Sequence, residues 1–166
     1  MRFPALLLLP VLILAAAFAV QAKPERGKAF GDWVVDCETT PDGKESCFIS
    51  QTQTMQQQQQ SGRLIKLSIG YIGPAGKPAM VAILPLGIWL PAGAAYQVEG
   101  QAQKPLTLQR CVAEGCIASA ELDEATLGQM RKAKSLSVGL KADAAGQTIV
   151  IPVSLKGFDA GLKSLR

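Results

Sequence analysis

The sequence predicts a mainly β protein: an antiparallel β-sandwich or partly open barrel with one short amphipathic helix, stapled by disulfides. Three observations predict this class. Short segments alternate apolar and polar residues, as half-buried strands do. Turns rich in proline and glycine separate these segments. The chain also carries an even set of 4 cysteines behind an apolar leader, which is typical of small exported domains.

The leader, residues 1–22, has the pattern of a secretory signal peptide. Arg2 supplies the positive charge, Ala5–Val20 is apolar, and small residues precede the expected cleavage site. We therefore expect export to the periplasm, with outer-membrane association or secretion as further options, and a single domain over 23–166. An uncleaved anchor is the alternative. It is less favoured because Pro10 interrupts an apolar run shorter than the roughly 20 residues that a spanning helix needs.

The first element of the domain is a cystine hairpin in Asp32–Ser50. Apolar and polar residues alternate on both arms, and a Pro-Asp-Gly turn joins them. Four cysteines allow three pairings. We favour Cys37–Cys47 and Cys111–Cys116, because each pair is close in sequence and brackets a turn.

The glutamine-rich stretch Gln51–Ser61 is expected to be a solvated loop or a ragged strand end, because glutamines bury little apolar area. The later strands are alternating or mostly apolar segments between turns, and Pro152 in the last one indicates an edge or a bulge. These strands are expected at Arg63–Tyr71, Ala79–Leu84, Ala94–Val98, Pro105–Arg110, Ser135–Lys141 and Ile149–Leu155.

The sequence predicts its amphipathic helix at Asp123–Lys134. Asp123 can cap the first turn, and Leu127 and Met130 stand three residues apart on an apolar stripe. The C-terminal tail is expected to end in a short helix that folds back on the domain.

Leu84–Gly93 is an unusual segment, because two prolines and two glycines interrupt an otherwise apolar run. The favoured interpretation is a loop that plugs one end of a sandwich or barrel. The alternative is an exposed contact for a partner, since large apolar patches seldom stay exposed without cause. The contact residues would then be Leu86, Ile88, Trp89 and Leu90.

The composition excludes several kinds of active site. The chain contains no histidine, so a Ser-His-Asp or Cys-His arrangement and a histidine metal ligand are both excluded. Phosphate-binding loops, dinucleotide fingerprints and calcium loops are absent. We expect no catalytic residue, no cofactor and no metal. We also expect no nucleic-acid partner, because the few aromatic residues lie apart from the basic C-terminal part.

Five motifs, taken in order, resemble the invasion-associated locus B family over nearly the whole chain after the leader. They are GDW-x3-C at Gly31–Cys37, a cysteine with a following glutamine at Cys47–Gln51, LPLG at Leu84–Gly87, RC-x4-C at Arg110–Cys116, and SLKGF at Ser154–Phe158. The resemblance implies an alphaproteobacterial protein of the periplasm or outer membrane, named for host-cell invasion and without an established enzymatic activity. It supplies no catalytic residue, and its cysteines are framework. The glutamine run departs from the family pattern.

These observations favour a non-catalytic envelope protein that binds an unknown protein or a component of the envelope or host surface. Peripheral membrane association is a further option. Two alternatives stay open: a periplasmic hydrolase that uses carboxylates or a Ser–Lys pair, and a chaperone-like structural protein that uses an open strand edge.

Overall fold

The computed structural model of the protein describes residues 23–57 and 60–166, so the signal-peptide prediction lies outside the described residues. The described chain forms ten strands, two α-helices and two short 3-10 turns. The strands are β1 Ala29–Phe30, β2 Trp33–Thr39, β3 Glu45–Gln57, β4 Gln60–Gly70, β5 Ala79–Leu84, β6 Ala94–Val98, β7 Lys104–Val112, β8 Gly115–Glu121, β9 Ser135–Lys141 and β10 Thr148–Ser154; the helices are α1 Glu124–Met130 and α2 Phe158–Lys163; the 3-10 turns are Pro74–Gly76 and Leu90–Ala92.

All ten strands belong to one sheet, in the order β1-β2-β3-β4-β5-β8-β7-β6-β9-β10, and every neighbouring pair is antiparallel. The sheet curls until the end of β10 reaches β2 and β3, where hydrogen bonds join them. The result is a half-barrel. Of the two predicted architectures, the partly open barrel is confirmed, and the two-sheet sandwich is not what forms.

The core fills the inner face of this half-barrel. Trp33, Val35 and Cys37 of β2 point inward, as the alternation predicts, and Ile65, Leu67 and Ile69 do so from β4. Both helices contribute apolar side chains to the same cluster: Leu127, Met130, Phe158 and Leu162. The helices therefore cover the core where the strands leave it open, although no described helix has the length and apolarity needed to cross a membrane.

Three elements differ from the sequence prediction. The glutamine-rich stretch is not a loop: β3 continues to Gln57 and pairs with β4, which begins at Gln60. The ladder satisfies the backbone of these strand residues, so the polar composition of the stretch does not prevent it from forming a strand. The strand β1 was missed because it is only two residues long. The helix α1 ends at Met130, before the predicted Lys134, whereas the short helix expected in the tail is present as α2.

The strand register divides the half-barrel into two ends. The upper end carries the β3–β4, β7–β8 and β9–β10 turns and the β5–β6 connection, while the lower end carries the β2–β3 turn and both helices. This division decides which side chains from distant parts of the chain become neighbours.

Candidate functional site

The four cysteines form the two predicted disulfides. Cys37 faces Cys47 across the β2–β3 ladder, and Cys111 faces Cys116 across the β7–β8 ladder. The carboxylate of Glu45 lies near the first bridge, with one of its oxygens and the two sulfurs all within 4.8 Å of one another. Because both sulfurs are joined in a disulfide, they are not thiolate ligands, and this cluster does not constitute a metal site.

The half-barrel closes at a seam, which we define by the following residues: Gly31, Asp32, Trp33, Gln51, Ser154, Lys156, Gly157 and Phe158. Trp33 donates from Nε1 to the Ser154 carbonyl oxygen at 3.0 Å, and its ring meets the Phe158 ring edge-on at 5.7 Å. The Asp32 amide donates to the Lys156 carbonyl oxygen at 3.1 Å. The first and last parts of the domain are thus tied directly together.

Gln51 holds the centre of the seam. Its Oε1 accepts from the Ser154 amide at 3.1 Å, while its Nε2 donates to the Ser154 carbonyl at 3.2 Å and the Asp32 carbonyl at 3.1 Å. The glutamine amide thereby takes the place that the peptide of a neighbouring strand would occupy. The Gln51 side chain is only 7% exposed. A buried amide needs hydrogen-bond partners, and these contacts supply them.

Two glycines permit the close approach at the seam. Both have positive φ, 58° at Gly31 and 86° at Gly157. A Cβ atom at Gly31 would lie 2.5 Å from the Lys156 carbonyl oxygen, and one at Gly157 would overlap the Phe30 carbonyl. Three of the five family-like motifs, GDW-x3-C, the cysteine–glutamine pair and SLKGF, therefore converge on a buried structural contact.

The other two motifs meet at the upper end. The connection after β5 and the β7–β8 turn line one shallow groove that includes Pro85, Leu86, Ala113 and Glu114. Arg63, at the β3–β4 hairpin, donates to the Glu114 carbonyl. Further along, the Trp89 amide donates to the Lys141 carbonyl at the end of β9 at 2.7 Å, and Lys141 is the ladder partner of Thr148 in β10. Four connections form one continuous upper margin.

This margin carries most of the exposed large apolar side chains. Among the described residues there are eight such side chains, and seven of them lie here, whereas Val34 is on the outer face of β2. We call these seven the apolar rim: Met55, Leu86, Trp89, Leu90, Val112, Ile149 and Val150.

The predicted contact segment contributes three of its four residues to the rim. Leu86, Trp89 and Leu90 are exposed, at 57%, 42% and 49%, while Ile88 is partly buried and packs against the core. The preferred interpretation of Leu84–Gly93 as a plug therefore describes Leu84 and Ile88, but not the exposed side chains. The 3-10 turn at Leu90–Ala92 follows Trp89 directly and keeps the other side chains outside the core.

Sequence reasoning missed the other four members of the rim. Ile149 was expected to face the core with Ile151 and Val153, but it lies beyond the end of the core and is 42% exposed. Val150 occupies the outer face at 61% exposure. The run Ile149–Val150–Ile151 did contain a signal, because in consecutive apolar strand residues one must face outward.

Ionisable side chains are sparse along this margin. Three cations, Arg63, Arg110 and Lys141, and two acids, Glu114 and Asp143, lie on it. None of the eight ion pairs among the described residues involves any of these five. The paired charges all lie away from the rim, for example Lys66 with Asp36 and Lys163 with Asp159.

A separate groove of about 430 Å³ runs over the outer face of the sheet. Its apolar floor includes Phe48, Val81, Ile83 and Ile117. Phe48 is almost fully buried on this outer face because it covers Gly70, where an added Cβ would approach the Phe48 Cβ to 2.8 Å. The groove has the size of a small-molecule site, but a single carboxylate, Glu38, lines it.

The structure offers little support for the hydrolase alternative. None of the grooves described above or lining the upper margin contains two carboxylates. The arrangement nearest to a hydroxyl–lysine pair is Lys104, whose Nζ donates to Thr126 Oγ1 at 2.6 Å. Thr126 is 1% exposed, so its hydroxyl is inaccessible to a substrate.

That contact belongs to the cap of α1. Asp123 accepts from the Thr126 amide at 2.6 Å, and its hydrogen bonds to Thr126 hold the pKa of this carboxyl below its usual value. Burial raises the pKa of the neighbouring Tyr96, and the Asp123 charge adds to the effect. The lowered pKa of Asp123 comes from the helix cap, and the raised pKa of Tyr96 comes mainly from the burial of its side chain.

The strand β10 confirms the prediction that Pro152 lies at an edge. The amide and carbonyl of Ser154 point away from β9, toward Gln51. Backbone groups of residues two apart in a strand point the same way, so those of Pro152 also point away from β9. Pro152 has no amide hydrogen to offer there. In β10, only Thr148 and Val150 still have both an amide and a carbonyl on the edge that faces away from β9. The edge available for adding another strand is therefore short.

Comparison with known proteins agrees with this architecture. The chain is similar, at 27% identity over 139 residues, to invasion protein B homologues from two strains of Brucella abortus; the alignments cover 84% of this chain and 78% of each relative. The crystal structure of invasion associated protein B from Bartonella henselae has the same fold, with a TM-score of 0.71 at 24% identity, covering 83% of this chain and 92% of that one. The family model for invasion associated locus B (IalB) protein matches residues 33–166. The chain therefore belongs to the invasion-associated locus B family.

Proposed function

We propose that this protein is an exported, non-catalytic envelope protein that binds a partner through its apolar rim. The observation that carries this proposal is the concentration of seven of the eight exposed large apolar side chains at one end of the described half-barrel. Scattered exposed hydrophobic residues are normal on a protein surface, whereas their concentration in one region is typical of an interaction site.

The chemistry of the rim suits binding. Trp89 is the residue type most often found at energetic centres of interfaces, and Leu86 and Leu90 flank it on the same connection. The half-barrel supplies a rigid base, because the strands that carry the rim are tied by ladders and by the Cys111–Cys116 disulfide. A preformed surface of this kind loses little conformational entropy on binding.

The non-catalytic part of the proposal follows from the chemistry of the described residues. Histidine is absent from the whole chain, and the Lys104–Thr126 contact is enclosed. Similarity to proteins named for invasion supports a role at the cell envelope or at a host surface. The partner is a protein or another component of one of these surfaces.

The test is crosslinking in intact producing cells, with a photo-crosslinking residue placed at position 89 or, as a matched control, at position 34. Trp89 and Val34 are equally exposed, at 42% and 41%, but only Trp89 belongs to the rim. Products are identified by mass spectrometry. We expect a specific product from position 89 that position 34 does not give and that Leu86→Ser with Leu90→Ser abolishes.

The same product from both positions would contradict the proposal, and so would a product that survives the rim substitutions. The folded state of each variant is checked by its thermal unfolding transition, which rim substitutions should leave nearly unchanged because these side chains contribute little to the core.

A further inference from the structure

We propose that the rim binds a lipid bilayer with anionic headgroups, an inference that rests on the function proposed above and names the partner class for the same site. The bilayer is the partner because the rim combines exposed aliphatic side chains, an exposed tryptophan and unpaired cations. A protein partner at the same rim is the alternative outcome of the test below.

The rim consists of side chains that can enter the apolar part of a membrane. Its seven members are one methionine, one tryptophan and five aliphatic residues, and they lie in or beside four separate connections at the upper end. Aliphatic groups enter the acyl region of a membrane, while tryptophan prefers the boundary between headgroups and acyl chains. Trp89 is placed for that boundary because its backbone is tied to Lys141 at the edge of the rim.

Few charged side chains surround the rim, and most of them are cations. Inserting ionised groups into lipid is costly, and the upper margin carries only five of them. Three are cations, Arg63, Arg110 and Lys141, and they have no carboxylate partner among the described residues. Long basic side chains at the boundary can reach outward to anionic headgroups.

The acids Glu114 and Asp143 oppose this attraction in part, so the electrostatic contribution should be modest. The Glu114 carbonyl already accepts from Arg63 in the β7–β8 turn. We therefore expect apolar insertion to provide most of the affinity, and anionic lipid to strengthen the binding severalfold over zwitterionic lipid.

The two tryptophans of the chain provide a direct measurement. Trp33 is fully buried at the seam and Trp89 is exposed on the rim, so an intrinsic fluorescence change on adding lipid reports position 89. The probes are vesicles of phosphatidylethanolamine with phosphatidylglycerol, and vesicles of phosphatidylcholine alone, each prepared with and without brominated acyl chains.

We expect the emission of Trp89 to move to shorter wavelength and to be quenched by brominated lipid, and Trp89→Phe to remove both signals while the protein stays folded. Leu90→Asp should weaken vesicle binding by about tenfold or more, because it removes one inserted leucine and adds a charge. Val34→Asp, a substitution of an equally exposed residue off the rim, should leave binding unchanged. Replacing Arg110 and Lys141 by Glu should lower binding to the anionic vesicles and leave the phosphatidylcholine signal unchanged.

No quenching with either vesicle would overturn the lipid inference, as would equal losses from Leu90→Asp and Val34→Asp. If position 89 nevertheless gives a specific crosslinked protein in cells, the binding function stands and the partner is that protein. If neither measurement finds a rim-dependent contact, both proposals fall.

Discussion

The seam and the rim each contain one tryptophan and some residues of the family-like motifs, yet they have opposite surroundings. At the seam, Trp33 is buried, and its indole donates to the Ser154 carbonyl while its ring packs on Phe158. At the rim, Trp89 leaves 42% of its surface exposed, and only its backbone is bonded, to Lys141. The difference teaches that the same residue type can be part of the buried core in one region and exposed at the surface in another.

The same contrast applies to polar groups. The seam satisfies the Ser154 amide and carbonyl through Gln51, so no backbone group of that residue is left without a partner. The rim has few polar side chains to satisfy, and its cations lie outside every described ion pair. The seam therefore uses its polar groups to join distant parts of the domain, whereas the rim leaves apolar side chains exposed.

The largest expected effect comes from comparing the two tryptophans. Trp33→Ala should lower the free energy of unfolding by about 3–5 kcal/mol, because it removes a buried aromatic ring. The matched Trp89→Ala should change it by less than about 0.5 kcal/mol. Urea unfolding followed by circular dichroism measures both. Equal losses would show that the rim is part of the core.

A second comparison uses the two disulfides. Replacing Cys37 and Cys47 by Ala should cost about 2–3 kcal/mol, and replacing Cys111 and Cys116 somewhat less, because the second bridge closes the shorter loop. The sequence separations are 10 and 5 residues. Thermal unfolding of the two double variants gives the order. A reversed order would mean that the β7–β8 hairpin, which carries Val112 of the rim, contributes more to stability than the β2–β3 hairpin.

The smallest expected effect isolates the glutamine of the seam. Gln51→Leu should cost roughly 1–3 kcal/mol, because it leaves the partly buried Ser154 amide without its partner. Thr52→Ala, at the exposed neighbouring position, serves as the control and should change stability little. Amide exchange at Ser154 provides a local readout, since its protection should fall in Gln51→Leu alone. Unchanged protection would show that Gln51 does not hold the seam.

Local chemistry in the sequence was sufficient for much of the fold. Alternation located β9 at Ser135–Lys141, and an apolar run after a turn located β5 at Ala79–Leu84, both with the bounds that the structure has. The spacing of the cysteines indicated both disulfides, and Pro152 indicated an edge strand. Each of these inferences depends on interactions within a few residues, which a sequence displays directly.

Other features were beyond such reasoning because they depend on contacts between distant residues. Gln51 reads as the start of a solvated stretch, and it becomes buried only because Ser154, 103 residues later, comes beside it. The strand register then brings Met55, Val112 and Ile149 to the same end as the Leu86–Leu90 segment. By itself, the sequence determined the strands, their inward faces and the cysteine pairs. The tertiary structure alone decided which motifs are buried at the seam and which are exposed on the rim, because long-range packing selects neighbours that no local pattern contains.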